Sequence, residues 1–133
     1  MKYLKKFNES TEEYTDVEKI QLLCLDHLSY LIDDGMMFRV YKEDSNNGLS
    51  LFLEKGNGVG MLWDDISSDF IPFLHILTNI YSIHKDKVRF LTYLPNSRAI
   101  RNDFDVNDIL DDSIVIKEQF ISKIIIVLDK KAK

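Results

Sequence analysis

The chain has 133 residues, 45% of them hydrophobic and 29% charged, with 22 acidic and 17 basic residues and a formal net charge of −5. Length and apolar content suffice for one hydrophobic core without staples, which excludes a disordered, collagen-like or disulfide-framed protein. Six basic residues, Lys2, Lys5, Lys6, Lys130, Lys131 and Lys133, lie at the ends, so eleven remain against all 22 acids and residues 7–129 carry −11, a body that opposes nucleic acid because such binding rests on phosphate neutralisation.

In chain order, residues 1–12 read as a basic, half-apolar leader or arm, residues 13–129 as a single α+β domain and residues 130–133 as a basic tail. Residues 15–35 predict one helix: Thr15 and Glu18 have the spacing of a capping box, Val17, Ile20, Cys24, Leu28 and Leu31 form an apolar stripe, and Gly35 supplies the stop. Asp33 and Asp34 then sit at the negative end of the helix dipole, a small penalty. Residues 36–43 and 49–55 alternate as the two strands of a hairpin, and residues 61–63 suggest a short extra strand. A second helix is expected from residue 68 or 69 to residue 83, capped by Asp69, with Pro72 in its first turn and Phe70, Phe73, Leu74, Leu77, Ile80 and Tyr81 as its core face.

Residues 88–94 and 121–129 read as strands, separated by a polar connection with a short helix near residues 107–111. The unalternating run Ile124, Ile125, Ile126, Val127 marks a central strand covered on both faces. The expected architecture is two helices on one face of a four- or five-stranded antiparallel or mixed sheet, in the order αββαββ.

Few residues carry chemistry. Gly56, Gly58 and Gly60 follow a strand, but their spacing fits neither phosphate-loop pattern, and Asp64, Asp65 and Asp69 would repel an anion there, so a turn or bulge is the reading. The stretch 103–108 opens like a calcium loop yet has Asp108 where glycine belongs and Ile114 where the bidentate glutamate belongs. The remaining acids, Asp103, Asp105, Asp108, Asp111 and Asp112, would serve a casual cation or a solvated surface. Cys24 and His27 lie at i and i+3, but Cys24 belongs to the apolar stripe, where a thiol is inert. No catalytic residue, metal site or cofactor is assigned. Arg98 and Arg101 are the candidate contacts for a small anionic ligand, peptide or partner, with pairing to nearby aspartates as the competing use.

Cys24 is the only cysteine, so no internal disulfide and no oxidising compartment are implied. The longest apolar run, residues 124–128, falls far short of the roughly 18 residues of a membrane span, so none is expected. Lys5 and Lys6 interrupt the apolar stretch that a secretory signal requires.

The opening residues Met1, Lys2, Phe7 and Glu9 resemble the head-targeting leaders of proteins packaged by large tailed bacteriophages. Those leaders begin Met-Lys and carry a phenylalanine near position seven and a glutamate two or three residues on. In that family the prohead protease cuts after a glutamate that follows an apolar residue by two positions, so the resemblance implies a site at Phe7, Asn8, Glu9, with phenylalanine where leucine or isoleucine is commoner. It further implies a small phage protein, virion-associated or bound to a host protein, located in the host cytoplasm or the virion interior. The absence of a chemical motif makes a non-enzymatic role the first expectation, beside a module for a small anionic ligand or peptide at Arg98, Arg101 and the glycine-rich turn and an enzyme that uses the aspartate cluster with a divalent metal. Two other readings of the leader remain: an arm that packs Tyr3, Leu4 and Phe7 on the domain, and a basic amphipathic turn that docks on a membrane or an acidic partner. The protein partner and the oligomeric state are not specified by the sequence.

Overall fold

The first helix, α1 (Asp16–His27), starts where its capping box demands. Thr15 Oγ1 accepts from the Glu18 backbone N–H at 3.2 Å, and Glu18 Oε1 accepts from the Thr15 N–H at 3.1 Å. The expected single helix breaks at Leu28 (φ −113°, ψ 18°) and resumes as α2 (Ser29–Asp33). Ser29, whose hydroxyl competes for backbone hydrogen bonds, follows the break. The stripe survives it, since Ile20, Cys24, Leu28 and Leu31 are all buried. Gly35 at φ +104° then ends the helical segment. Asp34 is compensated for its unfavourable place by Lys55, whose Nζ donates to its carboxylate at 3.1 Å.

These observations come from a computed structural model that describes residues 15–42, 48–55, 60–93, 99–114 and 120–130. Within it the chain is α+β, with four α-helices and six strands: β1 (Met36–Lys42), β2 (Leu49–Lys55), β3 (Tyr81–Ile83), β4 (Lys87–Tyr93), β5 (Ala99–Asp105) and β6 (Phe120–Lys130). They form one sheet in the order β1-β2-β6-β4-β5, entirely antiparallel, with β3 also paired to β6. The expectation of two helices, four or five strands and the order αββαββ is therefore corrected. Strand β3 was hidden because its three residues are too few to show a period, and Tyr81, expected on the helix, begins it instead. Strand β5 was hidden because it is an edge strand whose partners are charged, with Arg89 opposite Asp103 and Lys87 opposite Asp105.

Strand β6 is central as expected: Ile124 and Ile126 lie opposite Leu53 and Leu51 of β2, and Ile124 is also opposite Phe90 of β4. Its two faces are not equally covered, however. Ile124, Ile126 and Leu128 are buried, whereas Ile125 and Val127 on the other face are only half-buried. A register shift between Leu91 and Thr92 interrupts the β4–β6 ladder, and the Ser122 hydroxyl donates to the Leu91 carbonyl there at 3.0 Å.

The long helix α3 (Trp63–Ile80) begins five or six residues before the expected start, so Asp69 is not its cap and Pro72 lies in its interior. The carbonyl that Pro72 cannot serve is that of Ser68, and both residues are exposed, which leaves that carbonyl to water. Residues 61–63 form no strand of their own: Met61 makes an isolated bridge to Ile121 and Trp63 opens the helix. Phe70, Phe73, Leu74 and Leu77 are fully buried, but Ile80, expected in the core, is 45% exposed. Trp63, Phe70 and Phe90 meet as a ring cluster with centroids 5.7 to 6.4 Å apart. The short helix α4 (Val106–Leu110), capped by Asp105 through the Asn107 N–H, buries Val106 and Ile109 beside it.

Two polar ties fix the helices. Trp63 Nε1 donates to Asp112 Oδ1 at 3.0 Å, and the Tyr81 hydroxyl donates to Asp16 Oδ1 at 3.1 Å. Burial, reinforced by that hydrogen bond and by the Asp16 charge, pushes the Tyr81 phenol well above its ordinary pKa. The buried residues of the helices and of one sheet face form a single core cluster. The other sheet face has no described helix upon it.

Candidate functional site: the open face of the sheet

Strand alternation sends every second side chain to this open face. From β1 and β2 come Arg39, Tyr41, Phe52 and Glu54, from β6 Lys123, Ile125 and Val127, and from β4 and β5 Arg89, Leu91, Arg101 and Asp103. In the first half, Arg39 Nη2 lies 3.2 Å and Lys123 Nζ 4.0 Å from the Glu54 carboxylate. The Lys123 ammonium sits 5.3 Å over the Phe52 ring, which Tyr41 meets edge-on at 5.2 Å.

The second half is a groove of about 290 Å³, floored by Ile125 and Val127 and walled by His84, Lys85, Lys87, Arg89, Arg101 and Asp103. Asp103 is shared: Arg101 Nη2 donates to it at 3.0 Å and Arg89 Nε at 3.4 Å. Its hydrogen bond from Arg101, aided by the charges of Arg101 and Arg89, holds its carboxyl below the usual carboxylate range, and the same bond pushes the Arg101 guanidinium up. Lys87 Nζ lies 3.8 Å from Asp105, and His84 Nδ1 lies 3.0 Å from Asp129 Oδ2. Such exposed pairs contribute little each. At the rim the turn His84–Asp86 loops out between β3 and β4, with Lys85 and Asp86 both at φ 56°, a left-handed conformation that costs residues with a Cβ.

Of the residues singled out in the sequence, Arg101 lies in this groove, paired with an aspartate as its competing use foresaw. Arg98 lies outside the described residues, as do Lys2, Phe7 and Glu9 of the leader and residues 56–59 of the glycine-rich stretch. Gly60 belongs elsewhere. It lines a small cavity of about 120 Å³ with Asp34, Lys55 and Asp65, and does not join Arg101. At φ +102° a Cβ on Gly60 would stand 2.8 Å from the Ile121 carbonyl oxygen, so close passage along β6 accounts for this glycine.

The other candidates separate. Asp103, Asp105 and Asp112 serve different partners, namely the two arginines, the α4 cap and Trp63. Among the described residues no three His, Cys, Asp or Glu side chains are placed to hold a metal ion. Cys24 is buried, which pushes its thiol up to about 12, while His27 is exposed. No described helix is long and apolar enough to cross a membrane.

Sequence reasoning missed His84, Lys85, Lys87 and Arg89. The signal was present in the alternation of Lys87, Arg89 and Leu91 with Val88 and Phe90, which places the cations together on one face once β4 is given a charged neighbour. No family model, curated protein or solved structure matches this chain.

Proposed function

We propose that this chain is a small non-enzymatic binding protein of bacteriophage type and that it holds a protein partner on the open face of its sheet. One observation carries the reading. The face combines a half-buried apolar centre, Phe52, Ile125 and Val127, with Tyr41, Arg39, Arg89 and Arg101 around it, and an apolar middle ringed by tyrosine and arginine is the composition of protein interfaces. The association with phage particles rests on the leader residues Lys2, Phe7 and Glu9 alone, and places the protein in the host cytoplasm or the virion interior.

Cross-linking mass spectrometry on the protein in infected cells and in purified particles tests both parts. Cross-links to a partner should fall on Lys87 and Lys123 of the open face, and a chain beginning at Ser10 should appear in particles. Partner cross-links confined to Lys19 on α1 refute the face, and absence of the chain from particles refutes the packaging.

A further inference from the structure

We infer that the groove over Ile125 and Val127 receives an extended acidic peptide segment of the partner, with acidic side chains at positions i and i+4 and an apolar side chain at i+2. The inference rests on the open-face reading above and specifies its partner. Charge supports it first. Exposed acids such as Glu18, Asp26, Asp33, Asp64 and Asp65 occupy the helices, whereas the four cations Lys85, Lys87, Arg89 and Arg101 gather round one groove and outnumber the two carboxylates paired with them there, Asp103 and Asp105. An acidic segment is therefore turned away from the helical side and drawn to this one.

Spacing supports it next. Lys87 stands opposite Asp105 and Leu91 opposite Arg101, so Lys87 and Arg101 are four residues apart along the strand direction. At the rise of a β-strand that is about 13 Å, the separation of side chains i and i+4 on an extended peptide. Midway lies Arg89, flanked by Asp103 on β5 and, on the side towards the groove floor, by Ile125 on β6. A side chain at i+2 thus meets an apolar floor, while those at i and i+4 meet cations. The guanidinium of Arg101 has five N–H donors, of which Asp103 engages only those on Nε and Nη2.

Exposure decides between a peptide and a free anion. The side chains of Lys87, Arg89 and Arg101 are 50%, 41% and 58% exposed. Each contact is weak because water screens it, so a lone small anion is not held; several contacts in parallel with burial of an apolar side chain are needed.

The test is fluorescence anisotropy on the full chain with a labelled Glu-Ser-Leu-Ser-Glu peptide, compared with Gln-Ser-Leu-Ser-Gln and Glu-Ser-Ser-Ser-Glu. Both comparison peptides should bind roughly tenfold more weakly or worse, as should Lys87→Glu and Arg101→Gln, with Lys19→Glu within about twofold of the parent. Melting curves verify that each variant is folded. Equal binding of the glutamine peptide, equal loss on Lys19→Glu, no binding of the acidic peptide, or its displacement by equimolar inorganic phosphate overturns the inference. Partner cross-links that persist at Lys87 and Lys123 in those cases leave the open face as the docking surface and remove only the acidic segment. Cross-links confined to Lys19 remove the docking surface itself.

Discussion

The two faces of the sheet are made from the same six strands, yet one is filled by Leu51, Leu53, Phe90, Ile124 and Ile126 under helices and the other by ion pairs around a few half-buried apolar side chains. Stability therefore rests on the helical side, and the open side is the face proposed above for recognition. On the helical side the buried side chains belong to one packed core shared by helices and strands, so a change there is felt by the whole fold. On the open side the side chains meet through exposed ion pairs, and a change there leaves the core intact.

The largest contrast comes from two phenylalanines. Phe90 is fully buried against Trp63, Phe70 and Phe104, so Phe90→Ala should cost about 3–5 kcal/mol in urea unfolding. Phe52 on the open face is half-buried and, among the described residues, meets Tyr41 and Lys123 as its ring and cation partners, and Phe52→Ala should cost roughly 1 kcal/mol. Equal losses would mean that the open face is part of the core.

That contrast also explains how much was legible. The core helices and the hairpin declare themselves through period and caps: Thr15 with Glu18, the stripe ending at Leu31, and the alternation of Leu49, Leu51 and Leu53 are local patterns that tertiary structure leaves intact. The start of α3 does not declare itself, because Leu62 caps it without a side-chain bond and Pro72 suggests a later beginning. The site is still less legible. Arg101 stands out as an arginine in a polar stretch, but its partners Arg89 and Lys87 come from a strand ten or more residues earlier, and only the β4–β5 register brings them together.

Cys24 makes the stability of the helical side depend on pH. Its thiol is pushed by burial up to about 12 from an ordinary value of 9.0. A folded pKa above the unfolded one contributes stability that is complete below pH 9.0 and is lost as pH rises towards 12. The loss approaches about 1.4 kcal/mol for each pH unit in that window. Urea titrations at pH 8, 10 and 11 should therefore show the parent chain losing ground to Cys24→Ala as pH rises. A constant difference would mean that the thiol is accessible in the folded chain.

Gly60 brings residue 61 against β6, where Met61 bridges to Ile121. Gly60→Ala combines a left-handed φ with a contact of 2.8 Å to the Ile121 carbonyl and should cost about 1–3 kcal/mol, read as a lowered melting temperature. At the groove rim the sign reverses. Lys85→Gly relieves a left-handed residue and should stabilise by up to about 1 kcal/mol, yet it removes a cation from the groove wall and should weaken the acidic peptide. A variant that gains stability and loses binding separates the two roles directly.

The smallest effect on stability belongs to Asp103, and it is the most informative about binding. Its carboxyl is held below the ordinary range, first by the hydrogen bond from Arg101 and then by the charges of Arg101 and Arg89. A folded pKa below the unfolded one gives stability that is present above the ordinary carboxylate value and is lost as pH falls through the folded value. Because the pair is exposed, water screens most of that gain, so Asp103→Asn should barely change stability at neutral pH and should slightly flatten its loss below about pH 4. Binding should move the other way from an ordinary loss-of-contact variant. The Asp103 charge offsets those of Arg101 and Arg89 and repels an incoming carboxylate, so Asp103→Asn should tighten the acidic peptide by a few-fold, and Asp64→Asn on α3 should not. Isothermal titration of both variants at neutral pH decides it: unchanged affinity for Asp103→Asn would mean that Arg101 and Arg89 serve only to hold β4 and β5 together.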